Sequence, residues 1–206
     1  MFDYDVAFAR NIGWVTLPEQ KRLRGARVAI AGLGGVGGAH LLTLARLGIG
    51  RFHIADFDRF EVHNFNRQAG AFVSTLQQPK VDVAATMARD VNPEAEVRSF
   101  GDGVTAPNLD DFLHGVEVYV DGIDFFAVEA RRMIFAACYK KGIPALTAAP
   151  LGMGVSFLYF KPGGMSFEQY FRLEGCGRQE QFARFVAGLS PAMLQLTYLA
   201  EKGRVN

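Results

Sequence analysis

The chain is poor in cysteine and has no long apolar run. It holds 206 residues and only two cysteines, Cys138 and Cys176, which are too few for a disulfide framework or for a zinc site of four thiolates. No stretch approaches the roughly 20 apolar residues that a membrane span needs. The N-terminus lacks the basic and then apolar order of a secretory signal. We therefore expect a reduced, cytoplasmic protein.

The chain also lacks a charge excess of either sign. Lys plus Arg number 22 and Asp plus Glu number 21, which leaves a formal net charge of +1. Such a balance creates no broad attraction to nucleic acid or to an anionic membrane. What the chain does have is apolar and glycine-rich sequence: half of the residues are hydrophobic, and 23 are glycine. This composition is typical of a globular protein with a buried core.

Short apolar strands alternate with helical patterns along the chain. Strands are predicted at 27–31, 52–55, 97–100, 116–120, 144–147 and 155–160, and helices at 36–47, 80–91, 109–113, 127–141, 167–173, 180–187 and 191–201. Short strands that are buried on both faces are typical of a parallel sheet with helical crossovers. We therefore predict an α/β fold, Rossmann-like and doubly wound, with a mostly parallel sheet, helices on both faces and a C-terminal helical appendage.

The domain organisation follows from where this alternation starts and stops. Residues 1–24 are predicted to be a lead-in that contacts a partner subunit, residues 25–160 a nucleotide-binding domain, and residues 161–206 the helical appendage. The chain ends without an obvious structural close, so whether it is a fragment of a longer protein stays open.

A glycine-rich stretch follows the first predicted strand. Gly32, Gly34 and Gly37 fit G-x-G-x-x-G between a strand and a helix, and Asp56 ends the next strand. The first glycine of this pattern allows a tight turn, the second lets a phosphate approach the backbone, and the third lets helix and strand pack closely. A helix N-terminus attracts anions, and a carboxylate accepts hydrogen bonds from ribose hydroxyls. This order of features favours nucleotide binding over a purely structural turn, and no Walker loop is present.

Three further polar segments favour ATP over a dinucleotide. ATP chemistry needs cations for the triphosphate and a carboxylate for Mg²⁺. Segment 56–68 follows the second strand, Lys80 opens a helix, and Asp121 and Asp124 follow the fourth strand. We expect all three at the carboxyl edge of the sheet, where ligands bind in α/β folds. A lysine in a first helical turn opposes the helix dipole, and a phosphate beside Lys80 would resolve that conflict.

Taken in order, these pieces resemble the ubiquitin-activating-enzyme-like superfamily, the adenylyltransferases of the ThiF/MoeB/E1 type. The resemblance runs from about Arg10 to Gly154. It rests on GLGGVG at 32–37, DFD at 56–58, NFNRQ at 64–68, QPK at 78–80, NP at 92–93 and the D-x-x-D of 121–124.

The resemblance implies a role for each matching residue. Arg67, Lys80 and Asp124 are implied as the catalytic set, with Arg67 near the β- and γ-phosphates, Lys80 at the α-phosphate and Asp124 holding Mg²⁺. Asp56 is implied as the ribose carboxylate, and Arg10 as an arginine that a partner subunit inserts into the site. The other implied nucleotide contacts are Gly32, Gly34, Gly35, Gly37, Asp58, Asn64 and Gln68.

The resemblance also implies the reaction and the partners. A carboxylate of the acceptor attacks the α-phosphorus of ATP, which gives an acyl-AMP and pyrophosphate. In many relatives the acceptor is the C-terminus of a ubiquitin-like or sulfur-carrier protein, and the enzyme is a homodimer. The expected cofactors are ATP and Mg²⁺, and no membrane partner is expected.

Three alternatives stay open. NFNRQ and the stretch NP…VT…NLDDF also resemble the tRNA threonylcarbamoyladenosine dehydratase branch, whose basic RNA-binding face receives no support from a net charge of +1. An NAD-dependent oxidoreductase would use the same glycine loop. A non-catalytic partner, like the inactive half of heterodimeric activating enzymes, would have no need of Arg67, Lys80 and Asp124. Outside the tRNA alternative no nucleic-acid partner is expected.

The chain departs from this superfamily in the number and spacing of its cysteines. Many relatives carry two C-x-x-C pairs for structural zinc, which this sequence lacks, so no structural zinc is expected. Some relatives use a cysteine for transfer after adenylation. Cys176, between two glycines, is the candidate here, although a loop cysteine without a functional role is the favoured interpretation. Cys138 lies on an apolar helix and is expected in the core.

Overall fold

The computed structural model describes residues 1–194 and divides the chain into two units, Met1–Asp124 and Phe125–Asn206. The division falls inside the predicted 25–160 domain, so the predicted domain bounds stay a prediction. The last predicted helix, 191–201, lies mostly outside the described residues.

The first unit is built on four parallel strands in the order β3-β2-β1-β4. The strands are β1 (Arg27–Ala31), β2 (Arg51–Ala55), β3 (Glu96–Phe100) and β4 (Val118–Asp121). Four of the five residues of β1 and of β2 are buried, as expected for strands covered on both faces. Its helices are α1 (Tyr4–Ala7), α2 (Leu17–Gly25), α3 (Gly35–Arg46), α4 (Lys80–Val91) and α5 (Leu109–Phe112).

The strand register brings the carboxyl ends of this sheet to one level. Ala31 of β1 lies opposite both Ala55 of β2 and Asp121 of β4, and Ala55 lies opposite Phe100 of β3. The segments that leave these strands therefore start from a single edge. The glycine loop leaves β1 there and leads directly into α3.

Up to residue 194, the second unit contains an antiparallel pair and three helices. The elements are α6 (Val128–Lys141), β5 (Ala145–Leu151), β6 (Gly154–Phe160), α7 (Phe167–Phe171) and α8 (Arg178–Leu189). Gly142 ends α6 with a left-handed φ of 69°, a conformation that glycine adopts without steric cost. Phenylalanine rings from α6, α7 and α8 pack together, with ring centroids of Phe135 and Phe167 4.6 Å apart and those of Phe171 and Phe185 5.0 Å apart.

The predicted fold class is confirmed: the structure is α/β and Rossmann-like, with a mostly parallel sheet and additional helices towards the C-terminus. The predicted strands, and the predicted helices that end before residue 190, agree with the structure to within a few residues. Helices α1 and α2 lie in the 1–24 lead-in, for which no helix was predicted. Among the predicted elements the largest difference is β5, which extends to Leu151, because its antiparallel pairing with β6 continues up to the turn. Among residues 1–194 no helix is long and apolar enough to cross a membrane.

Candidate active site

The glycine loop, residues 32–37, follows β1 and includes the first residues of α3. Gly32 has a left-handed φ of 82°, and a Cβ atom there would collide with the backbone of Gly122. A Cβ atom on Gly37 would collide with the carbonyl oxygen of Gly32. These two glycines therefore keep strand, loop and helix in close contact, as the pattern predicts.

Gly34 differs from those two glycines because a Cβ atom there would make only ordinary van der Waals contacts. The nearest atom to a Cβ atom at this position is Nε2 of Gln68, at 3.6 Å. Gly34 is also the N-cap of α3 and has no side chain to cap the helix, so the first N–H groups of α3 receive no hydrogen bond from it. An uncapped helix N-terminus suits a phosphate.

Asp56 joins the glycine loop to the segment after β2. Its Oδ2 accepts a hydrogen bond from the Leu33 N–H at 2.6 Å, and its Oδ1 accepts one from the Asp58 N–H at 2.8 Å. Burial raises the pKa of Asp56, while these two hydrogen bonds and the nearby Lys80 act in the opposite direction. Each carboxylate oxygen can accept a second hydrogen bond, so a ribose hydroxyl can still bind.

The NFNRQ segment lies against the glycine loop. The Cγ atom of Arg67 would be 3.3 Å from a Cβ atom on Gly35, so the arginine stem runs beside the first residue of α3. Its guanidinium donates to the His63 carbonyl and to Oδ1 of Asn66, and no carboxylate pairs with it among residues 1–194. An uncompensated cation thus stands beside the helix N-terminus.

Asn64 and Gln68 are the buried members of this segment. Oδ1 of Asn64 accepts the Glu61 N–H at 2.9 Å, which ties down the turn that carries Arg67. Only its amide nitrogen is then available as a donor to a ligand. Gln68 is 8% exposed, and its Oε1 has no hydrogen-bond partner. A buried unpaired amide oxygen beside the glycine loop marks a place where a ligand or a water has room to bind.

Lys80 is the first residue of α4 and is 5% exposed. Its Nζ lies 3.0 Å from Oδ2 of Asp58. A carboxylate of the chain itself therefore offsets the helix dipole at Lys80, and the expectation that a phosphate also binds there stays a prediction. Lys80 nevertheless remains connected to the glycine loop through Asp58 and Asp56.

The two aspartates after β4 have different environments. Asp121 is 2% exposed, and its Oδ1 accepts a hydrogen bond from the Ile123 N–H at 3.2 Å, so its carboxylate stabilises the turn after β4. Asp124 is exposed, two residues from the glycine that touches Gly32. Residues 1–194 contain no cluster of three or more histidine, cysteine or acidic side chains that would hold a metal unaided.

Two further predicted site residues are Arg10 and Cys176. Arg10 is near the far end of α3, because the neighbouring Asn11 donates to the carbonyl of Leu47 at 3.1 Å. Cys176 is partly exposed in the second unit, where its thiol is 3.6 Å from the Arg172 carbonyl oxygen. Cys138 is fully buried, and burial raises the pKa of its thiol to about 12, as expected for a core cysteine.

The sequence prediction missed two features of the site. Gly122 packs against both Gly32 and Gly37, and the signal for it was the glycine directly after the fourth strand. The Leu33 N–H, which binds Asp56, was missed because a backbone donor leaves no trace in residue type. Five predicted residues contact the glycine loop or are connected to it by hydrogen bonds: Asp56, Asp58, Arg67, Gln68 and Lys80.

Comparison with known proteins adds a family profile and curated relatives. The profile of the ThiF family matches residues 8–200. The chain is similar to tRNA threonylcarbamoyladenosine dehydratase of Bacillus subtilis, with 33% identity over 142 residues that cover 68% of this chain and 55% of that protein. It is also similar to the sulfur carrier protein ThiS adenylyltransferase of Escherichia coli, with 30% identity over 148 residues that cover 72% of this chain and 58% of that protein.

A solved structure agrees with these matches. The crystal structure of E. coli tRNA N6-threonylcarbamoyladenosine dehydratase in complex with ATP superposes with a TM-score of 0.68 at 29% identity, and the match covers 73% of this chain and 61% of that one. The chain spans a little over half the length of the two curated relatives.

Proposed function

The chain belongs to the ThiF family, and from that premise we propose that it is an ATP-dependent adenylyltransferase that activates a carboxylate as an acyl adenylate. The observation that carries the proposal is the contact of Arg67 with Gly35. It puts a cation without a carboxylate partner, among residues 1–194, beside an uncapped helix N-terminus. Both features attract a polyanion, and Gly34 carries no side chain that would keep a phosphate from the backbone there.

In the proposed reaction a carboxylate oxygen of the acceptor bonds to the α-phosphorus of ATP. The bond from the α-phosphorus to the bridging oxygen breaks, and pyrophosphate leaves with the bonding electrons. The acceptor carboxylate is already ionised near neutral pH, so the enzyme needs no general base. Lys80 at the α-phosphate and Arg67 at the β- and γ-phosphates stabilise the charge that develops on the phosphate oxygens. Asp56 binds the ribose.

Mg²⁺ fits this site through Asp124. Mg²⁺ at a nucleotide site needs only one or two carboxylates, since the phosphates and water supply the other ligands. Asp124 is an exposed carboxylate whose segment touches the glycine loop through Gly122. The ion would neutralise phosphate charge and orient the leaving group.

The proposed acceptor is the C-terminal carboxylate of a ubiquitin-like or sulfur-carrier protein. A second candidate acceptor is a threonylcarbamoyl carboxylate on tRNA. It is favoured by the similarity to the B. subtilis dehydratase and by the superposition on the E. coli enzyme. The two candidates share the adenylation step and differ only in what presents the carboxylate.

ATP–pyrophosphate exchange tests the proposal and distinguishes the acceptors. We expect Mg²⁺-dependent exchange that requires an acceptor, either a small sulfur-carrier protein ending in Gly-Gly or a tRNA that carries threonylcarbamoyladenosine. The matched control is the same carrier protein with its C-terminal carboxylate amidated, which should support no exchange. Absence of exchange with both acceptors, in protein that binds ATP, would contradict adenylation of these two classes.

We further propose that Arg10 completes the site of a partner subunit in a homodimer. Arg10 lies near the C-terminal end of α3, whereas the glycine loop opens this helix of 12 residues. At about 1.5 Å per residue the two ends are about 18 Å apart, which exceeds the reach of an arginine side chain. Arg10 therefore cannot serve its own glycine loop.

Mixing of two inactive variants tests this sharing. Arg10→Ala and Lys80→Met should each lose exchange activity. After the two are unfolded and refolded together, half of the dimers are mixed, and each mixed dimer has one intact site. About a quarter of wild-type activity should then return. No recovery in dimers shown to be mixed, or full activity of a monomer, would refute the sharing.

A further inference from the structure

Asp58 contacts Lys80 in two ways. Besides the pair between Oδ2 and Nζ at 3.0 Å, the Asp58 carbonyl accepts the backbone N–H of Lys80 at 2.9 Å. The next residue, Arg59, forms an antiparallel bridge with Pro79, and the Phe60 N–H donates to the Gln78 carbonyl at 3.1 Å. Backbone pairing thus fixes where Asp58 lies relative to the start of α4, and the side-chain pair follows from it.

The two partners of this ion pair are unequally buried. The Lys80 side chain is 7% exposed and that of Asp58 is 53% exposed. A buried ammonium without an opposite charge is costly, and the helix dipole at the start of α4 adds to that cost. Pro79, the N-cap of α4, offers no side-chain hydrogen bond there. Asp58 therefore supplies the nearest opposite charge that stabilises the ammonium in its buried position.

The pair continues into the glycine loop. The Asp58 N–H donates to Oδ1 of Asp56, and Oδ2 of the same carboxylate accepts the Leu33 N–H. Leu33, Asp56, Asp58 and Lys80 thus form one connected chain. Movement of Asp58 would displace the ammonium with respect to the loop. The family resemblance implies a direct contact of Asp58 with nucleotide. Such a contact would have to use an oxygen of the same carboxylate that pairs with Lys80.

We propose that Asp58 is a positioning residue, whose carboxylate holds the Lys80 ammonium towards the glycine loop and so sets the rate of adenylyl transfer rather than the affinity for ATP. The kinetic part of this proposal rests on the proposed adenylation. The pairing part does not, because it concerns the chain alone. A carboxylate that bound the nucleotide itself would affect KM first, whereas one that acts through Lys80 affects kcat.

The test uses Asp58→Asn, which keeps the size of the side chain and an acceptor oxygen but removes the charge. We expect kcat for ATP–pyrophosphate exchange to fall about 10-fold to 100-fold, with no rise in KM for ATP, because small displacements of a group at the reacting centre cost rates of this size. Asp58→Glu, which restores the charge, should recover part of kcat. A raised KM with unchanged kcat, or no change in either, would overturn the proposal.

Asp82→Asn is the matched control. Asp82 lies in the same first turn of α4, is exposed and carries the same charge, but its side chain does not pair with Lys80. The control should keep wild-type kcat and KM. An equal loss in both variants would show a general effect of charge near the helix N-terminus and would overturn the specific role of Asp58.

A chemical readout separates this proposal from the proposed function. Acetic anhydride labels lysines, and mass spectrometry can compare Lys80 with the exposed Lys21 as an internal reference. We expect the labelling of Lys80 relative to Lys21 to rise at least severalfold in Asp58→Asn, and not in Asp82→Asn. If wild-type protein shows no exchange but the labelling ratio rises, adenylation fails and the pairing stands. An unchanged ratio refutes the pairing whatever the activity.

Discussion

Replacement of Lys80 by methionine is expected to reduce ATP–pyrophosphate exchange by at least about 100-fold, the cost of removing one preorganised group that stabilises transition-state charge. Methionine keeps an unbranched side chain, so the buried space at the start of α4 stays filled. The former partner Asp58 is left with a side chain that is 53% exposed, and water can solvate it. The melting temperature should therefore change by only a few degrees.

Arg59→Met is the control for this prediction. Arg59 is an exposed cation next to Asp58, and its guanidinium donates to the Gln77 carbonyl rather than to the glycine loop. Its exchange rate should stay within a factor of a few of wild type. Normal exchange in Lys80→Met would remove this lysine from the mechanism, and the interpretation of α4 as part of the active site would fail with it.

Two substitutions in the glycine loop are expected to affect different properties. Gly37→Ala should lower the free energy of unfolding, and Gly34→Ala should abolish ATP binding. Gly37→Ala places a methyl group against the carbonyl oxygen of Gly32, where only backbone can yield. We expect a loss of about 3 kcal/mol in the free energy of unfolding, or roughly 6–12 °C in melting temperature. Gly34→Ala meets nothing closer than 3.6 Å, so its melting temperature should fall far less. The new methyl group instead lies at the N-terminus of α3, where we propose that the phosphate binds, and ATP binding should be lost.

Thermal unfolding measured by circular dichroism checks the first half of this comparison. If Gly34→Ala is destabilised as much as Gly37→Ala, then the fold itself requires glycine at position 34, and the proposed phosphate contact is not the reason for it. If Gly37→Ala is as stable as wild type, the close packing of loop and helix does not contribute to the free energy of unfolding.

The glycine loop was predictable from sequence because its requirements are steric. A φ of 82° at Gly32 and the contact of Gly37 with the Gly32 carbonyl exclude other side chains, so the residue type records the geometry. Strands β1, β2 and β4 were predictable for a similar reason, because burial on both faces leaves short runs of apolar residues. Strand β3 has one buried residue, Phe100, and its sequence signal is weaker.

The ion pair of Asp58 with Lys80 was not predictable in this way. It depends on the pairing of the segment around Arg59 with Pro79, which joins two loops without strand periodicity. The sequence therefore suggested that Asp58 and Lys80 act independently, whereas in the structure their side chains form an ion pair. The burial of Asp121 was missed likewise, because its hydrogen bond to the Ile123 N–H depends on the local turn and not on residue spacing.

The central claim is that one triphosphate binds at the glycine loop among Arg67, Lys80 and Asp124. Calorimetric titration of ATP with Mg²⁺ into wild type and into folded Gly34→Ala tests it most directly, with NAD titrated in parallel. Wild type should bind ATP and not NAD, and Gly34→Ala should bind neither. Equal ATP binding by the two proteins, or a preference of wild type for NAD, would contradict it.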